Sequence, residues 1–251
     1  TILYHFRFLA SLFDAKIILI KEIKKLLWSV NSMHSEEDIS KHIRKGTTTI
    51  GIVCTDGIIL AADKRATLGG MIIGHRNVDK VFKINDHIAL TMAGSVSEAQ
   101  LIIKLLQAEL KLKTMRTGKI PTTNESVSLL GALVYQNISK FSPFLGITGF
   151  ILGGTDENGG FALYDVGIDG SVLRHEDYYS DGSGFMAALG VLDTLYRKDL
   201  KVSEGIKIAV KTINAALQRD VGTGDGIDVF TITKAGVQKV MTQHLERKLE
   251  A

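Results

Sequence analysis

With 251 residues, 45% of them apolar and 23% charged, the chain has material for one large core and lacks the compositional bias of a fibrous or disordered polymer. Its single cysteine, Cys54, excludes an internal disulfide framework and fits a reducing interior. The net charge of +3 sits early: residues 1–46 carry eight Lys/Arg against five Asp/Glu, which leaves twenty-two of each in residues 47–251. That balance argues against nucleic acid as a main partner, and no charge-free stretch is long enough to cross a bilayer as a helix.

Apolar residues Ile20, Ile23, Leu27 and Val30, with lysines between them, have the spacing of an amphipathic helix within residues 1–30. Met33 opens a polar stretch that ends at Lys45-Gly46, so we expect translation to start at Met33, with residues 1–32 a misassigned upstream segment. A cleaved targeting signal is the weaker alternative, because no small-residue cleavage site follows a clean apolar core.

At Gly46-Thr47 the pattern changes. A threonine with nothing before it carries a free α-amine of pKa roughly 7.7–8, able to take the proton from the hydroxyl of its own residue. Cutting the Gly46–Thr47 bond would therefore put nucleophile and base on one residue. Branched residues run from Thr47 to Cys54, Thr55-Asp56-Gly57 supplies a turn, and Ile58–Ala62 returns, which reads as a β-hairpin. A three-residue loop with Gly57 left-handed sets Thr47 opposite Arg65 and places Asp63, Arg65 and Thr67 on its face; a two-residue loop flips that assignment. We prefer the first.

Strands are expected at Val81–Ile84 and Ile88–Ala93, then a helix from about Ser97 to Arg116 stopped by Gly118. Thr122-x-x-Glu125 after Pro121 is a capping box opening a second helix toward Lys140. Further strands fall at Gly149–Gly153, Phe161–Val166 and Ser171–Arg174. Helices follow at Gly184–Tyr196 and Ser203–Gln218, and strands at Ile227–Thr233 and Val237–Met241 close the sequence. Strand blocks separated by helix pairs predict an α+β fold, two antiparallel sheets between helix pairs.

The order Gly46-Thr47-Thr48-Thr49, Ala62-Asp63-Lys64-Arg65-Ala66-Thr67, Asp79-Lys80-Val81-Phe82, Thr91-Met92-Ala93-Gly94, Ser180-Asp181-Gly182-Ser183-Gly184, Gln218-Arg219-Asp220 and Gly226-Ile227-Asp228-Val229 resembles the proteasome β subunits, most of all the archaeal type, among the N-terminal nucleophile hydrolases. The resemblance implies a four-layer αββα sandwich over residues 47–251, preceded by a propeptide of residues 1–46. It implies Thr47 as nucleophile, freed by self-cleavage after Gly46. Asp63 and Lys80 would be its charged companions, Asp63 holding Lys80 charged and fixed, and Gly94 would offer an N–H to the developing oxyanion.

Ser183 and Asp220 match the positions that hydrogen-bond around the terminal amine, although Ser183 could instead be a helix cap before Gly184. Thr223 stands where the family commonly has a second serine. One extra residue near Gly69-Gly70 makes Lys80, fourteen residues before Gly94, the matched lysine rather than Asp79. Ala66, Val78, Met92 and Val96 would line the first specificity pocket, and Thr67 with Gly94 would pair with substrate backbone.

Also implied are a seven-membered β ring, α subunits closing the ends, a regulatory unfoldase ATPase that feeds unfolded polypeptides, and a cytoplasmic setting. No metal or organic cofactor is implied. The alternative readings are a ring subunit that keeps the fold without catalysis, and an amidase acting on a small molecule. Cys54 reads as a small core residue rather than a nucleophile. The Gly222–Gly226 run lacks the Gly-Lys-Ser/Thr ending and the preceding strand of a phosphate loop.

Overall fold

A computed structural model describes residues 46–68, 72–140, 146–155 and 159–245, all within one compact unit, His42–Ala251. The helix expected within residues 1–30, the boundary at Met33 and the extra residue near Gly69-Gly70 lie outside the described residues.

Strands β1 (Thr48–Cys54) and β2 (Gly57–Asp63) form the expected hairpin, and β3 (Ala66–Leu68) and β4 (Ile72–His75) form a short second one. After β5 (Val81–Lys83) and β6 (Ile88–Gly94) come helices α1 (Val96–Thr117) and α2 (Thr123–Ile138). Next are β7 (Thr148–Thr155), β8 (Phe161–Val166), β9 (Val172–His175) and β10 (Tyr178–Gly182), then α3 (Phe185–Leu195), α4 (Val202–Arg219), β11 (Gly226–Thr233) and β12 (Gly236–His244). One antiparallel sheet has the order β10-β1-β2-β11-β12 and the other β5-β6-β7-β8-β9.

Alternation along the strands divides the apolar residues among three layers of core. Ile50, Ile52, Ile59, Ala61 and Val229 face α3 and α4. Ile58, Leu60, Ile151, Leu163 and Ile232 meet between the sheets, and Leu90, Phe150 and Leu152 face α1 and α2. Every residue of β2 is buried, because a strand covered on both sides must be apolar on both. The result is the four-layer αββα sandwich.

The helix ends carry the signals read from sequence. Gly118 caps α1 in the left-handed region, φ 68°, its N–H reaching the Thr114 carbonyl. The Thr122 hydroxyl accepts from the Glu125 N–H at 3.2 Å while the Glu125 carboxylate accepts from the Thr122 N–H at 3.0 Å.

Three strands were not anticipated: β3, β4 and β10. β10 is an edge strand whose ladder partner, β1, lies 130 residues away in sequence, with Ser180 opposite Ile50. Acidic and glycine residues interrupt its apolar pattern, so only the partner reveals it.

The hairpin register differs from the preferred reading. Cys54 pairs with Gly57 and Thr49 with Ala62, so the loop is the two residues Thr55-Asp56. Gly57 does not take a left-handed conformation. A Cβ there would lie 2.6 Å from the Ile232 carbonyl oxygen, so close approach to β11 is what requires glycine. Continued to its end, this register sets Asp63 opposite Thr48 rather than on the Thr47 face.

Candidate active site

Thr47 immediately precedes β1, the strand between β10 and β2, so the ends of both neighbours flank it. The end of β10 delivers Gly182 and Ser183; the end of β2 delivers Asp63. The second sheet contributes Lys80, just ahead of β5, and Gly94, the last residue of β6. These two elements are held together by the Met92 N–H bonding to the Lys80 carbonyl at 2.9 Å.

The register correction does not scatter the charged residues, because Lys80 spans the gap. Its Nζ lies 2.7 Å from Asp63 Oδ1 and 2.9 Å from Thr47 Oγ1. All three are buried, at 2%, 1% and 4% exposure. A carboxylate so far from water requires its lone pairs filled. Asp63 Oδ1 also accepts from the Thr48 N–H at 3.0 Å, and Oδ2 accepts from the N–H groups of Arg65 and Gly224 at 3.0 and 2.9 Å.

Burial lowers the pKa of Lys80, and the charge and hydrogen bond of Asp63 oppose that shift. Desolvation is the larger effect, while Asp63 favours the charged form of the lysine, as expected of it, and holds its nitrogen in place. The Thr47 hydroxyl donates to the Gly46 carbonyl at 2.7 Å, and Lys80 Nζ reaches the same carbonyl oxygen at 3.4 Å. The Gly46 N–H bonds to Thr67 Oγ1 at 3.1 Å. The Thr47 hydroxyl, the Gly46 carbonyl and the lysine therefore converge on one peptide bond.

On the other flank the Thr47 N–H donates to Ser183 Oγ at 3.1 Å, and the Ser183 hydroxyl donates to Asp220 Oδ2 at 2.5 Å. The cap alternative for Ser183 is not what is found: Gly184 is the cap of α3, and the serine hydroxyl is engaged with Asp220. The Thr223 hydroxyl also donates to Asp220 Oδ2 at 2.5 Å and lies 2.6 Å from the Thr48 hydroxyl. Thr48, Thr223, Asp220 and Ser183 thus form one hydroxyl–carboxylate chain around the Thr47 nitrogen.

Sequence reasoning missed Thr48, Gly224 and the pair that fixes the 220–226 loop. Arg65 Nε meets Asp225 Oδ2 at 2.7 Å, and its Nη1 donates to the Val221 carbonyl at 2.8 Å. Asp225 is the one non-glycine residue with positive φ, 64°, among the described residues. The hydrogen bond to Asp225 raises the pKa of Arg65, so the clamp stays charged. The Gly-rich run 222–226 wraps a carboxylate site; its glycines permit contacts that side chains would block, since a Cβ on Gly224 would lie 2.1 Å from the Arg65 guanidinium carbon.

Ala66, Thr67, Met92, Gly94 and Val96 line a cavity of about 20 Å³ with Gly46, Thr47 and Lys80. Val78 is not part of that lining and packs against the core beneath α1 and α2. Gly94 has φ 107°, and a Cβ would lie 2.3 Å from the Ile147 carbonyl oxygen. Gly94→Ala is expected to cost about 2 kcal/mol or more, read as a fall of roughly 4–8 °C in the melting temperature. An unchanged midpoint would show that the 94–147 contact relaxes freely. Cys54 is buried in the helix-facing core, its thiol pushed up to about 12 by desolvation and by Asp56, and is no nucleophile.

Among the described residues no helix is long and apolar enough to cross a membrane. A family model described as proteasome subunit matches residues 43–232. The chain is 41% identical over 207 residues to a proteasome subunit beta of Methanocaldococcus fervens, covering 82% of this chain and 90% of that one. It is 44% identical over 202 residues to proteasome subunit beta 2 of Pyrococcus abyssi, covering 80% and 94%. A proteasome subunit beta of Methanococcus maripaludis is 39% identical over 214 residues, covering 85% and 95%. With matches of this length and identity, the chain belongs to the proteasome subunit family, among β subunits of archaeal type.

Proposed function

We propose that the chain is a catalytic β subunit: a threonine endopeptidase that cleaves itself between Gly46 and Thr47 and then hydrolyses peptide bonds of unfolded polypeptides. The observation that carries this is the buried contact of Lys80 Nζ with both Asp63 and the Thr47 hydroxyl, at a hydroxyl already directed onto the Gly46 carbonyl.

Self-cleavage follows from that geometry. Thr47 Oγ1 attacks the Gly46 carbonyl carbon while its proton passes to Lys80 in its neutral form, the form that burial favours. The C–N bond then breaks, the Thr47 nitrogen takes a proton to become an amine, and Gly46 remains as an ester on Oγ1. Water hydrolyses that ester, releasing the segment that ends at Gly46 as a carboxylic acid and restoring the hydroxyl. The freed α-amine stays beside Ser183 and Asp220, where it can relay protons in later turnovers. Substrate hydrolysis repeats the sequence with an external peptide, and Gly94 serves the oxyanion.

The family supplies the setting: β subunits in a seven-membered ring, α-type rings at the ends, a cytoplasmic chamber and an ATPase that threads substrate in. Enclosure explains why the α-amine of Thr47 is kept masked as an amide until assembly. Intact-mass analysis of assembled particles tests the proposal, with a mature chain beginning at Thr47 as the expected result. A chain retaining residues before position 47 would refute direct catalysis and favour the non-catalytic ring subunit.

The apolar lining by Ala66, Met92 and Val96 offers nothing to a buried charge. We expect apolar residues before the scissile bond to be preferred, with unbranched Met92 able to move aside for large ones. The measurement is hydrolysis of fluorogenic peptides differing only at that residue. Faster turnover of a basic than of an aromatic peptide would contradict the assignment of this pocket.

A further inference from the structure

Two clefts meet at Gly46. Beside the small apolar one, a second of about 690 Å³ runs from Gly46 and Gly94 past Gly149 to Asp181, Ile168 and Phe185, and includes Ser183 and Gly222. Asp181 is its one carboxylate besides Asp220, which is already saturated by Ser183, Thr223 and the Gly222 N–H.

Asp181 is differently placed. Its Oδ1 accepts from the N–H of the next residue, Gly182, at 2.6 Å. Its Oδ2 leans over β7 at Gly149, where a Cβ would lie 2.7 Å away, and receives no hydrogen bond from any described residue. No lysine or arginine among the described residues pairs with it. Burial raises its pKa, and the nearby Asp165 adds to the effect, as expected of a carboxylate without a cation beside it.

The position of this cleft relative to the chemistry is set by the Thr47 nitrogen. That nitrogen faces Ser183, a lining residue of the large cleft, whereas the apolar pocket lies on the Thr67 side. The amine expelled from a substrate must take its proton beside the Thr47 nitrogen, so the departing segment begins at Ser183. It then enters the large cleft.

From this arrangement we infer that Asp181 is a specificity residue for the departing segment, binding the lysine or arginine side chain of a residue shortly after the scissile bond. The inference rests on the threonine-peptidase reading. The apolar walls, Ile147, Ile168, Phe185 and Val221, accommodate the methylene stem of the cation.

The test uses assembled, processed particles and internally quenched peptides that share one apolar residue before the scissile bond and carry Lys, Gln or Glu at the first, second or third position after it. The quantity read is the Lys-to-Glu ratio of kcat/KM within each protein, so that any general loss of activity cancels. The wild type is expected to favour Lys by at least about tenfold at one of these positions, the size of one charge-assisted hydrogen bond. Asp181→Asn should bring the ratio to about one, and Asp181→Glu should retain the preference. A ratio near one in the wild type, or one unchanged in Asp181→Asn, overturns the inference. If wild-type particles cleave no peptide at all, the peptidase reading fails instead. Fluorescence anisotropy of the same peptides on those particles then decides the cleft by the same ratio.

Discussion

Thr47→Ala is expected to leave the chain uncut, with residues before position 47 still attached in assembled particles, and to lower peptide hydrolysis by at least about 10³-fold. Both losses have one cause. The hydroxyl donates to the Gly46 carbonyl and receives Lys80 Nζ, and the described residues offer no second nucleophile at that carbonyl. Cys54 cannot substitute, being buried on the far side of β1 with its thiol pushed up to about 12. Thr47→Ser keeps the oxygen and should still process, which separates loss of chemistry from loss of assembly. Intact mass reads the first effect and a fluorogenic peptide the second; a processed Thr47→Ala chain would rule out Oγ1 as the attacking atom.

Asp63→Asn is expected to combine a stability loss of about 3–5 kcal/mol with a fall of about 10²-fold or more in the maximal processing rate. The wild-type carboxylate accepts from Lys80, Thr48, Arg65 and Gly224, four donors and no acceptor. An amide nitrogen in either oxygen position would point its hydrogens at donors, leaving buried groups unpaired. The pH profile carries the mechanistic information. Asp63 raises the pKa of Lys80 against burial, so its removal lets that pKa fall further. Because proton acceptance requires neutral Lys80, processing rises as pH climbs through the lysine pKa, and that rise should move to lower pH in Asp63→Asn. Chemical denaturation measures the stability, and precursor conversion followed by mass at several pH values measures the profile. A shift toward higher pH would contradict Lys80 as the proton acceptor.

These two variants probe residues that the sequence could name but not arrange. Thr47 was legible as a threonine opening a branched strand after a glycine, whereas Asp63, Lys80 and Gly94 were named through the resemblance of their motifs to the proteasome β subunits. The elements between them were legible because their periods are strong and their ends carry chemical signals, Gly118 and the Thr122–Glu125 box among them. Where the signal was one of register, it failed. Thr55-Asp56-Gly57 fits a two- or a three-residue loop equally well locally, and the choice was made by β11, whose Ile232 carbonyl presses on Gly57. The strand β10 failed for a related reason, since Tyr178–Gly182 becomes a strand through β1 and not through its own pattern.

By itself the sequence determined the alternation of strands and helices and the layer order, because hydrophobic period and capping are local properties, and it carried the motifs from which the candidate site residues were named. Only the tertiary structure decided how those residues meet. Lys80 spans two sheets to join Asp63 to Thr47, the Arg65–Asp225 clamp brings the Gly224 N–H onto Asp63, and Thr223 and Thr48 complete the chain to Asp220. Those contacts link residues up to 175 positions apart. Their geometry is fixed by sheet pairing and packing, which are properties of the whole fold and of no single segment.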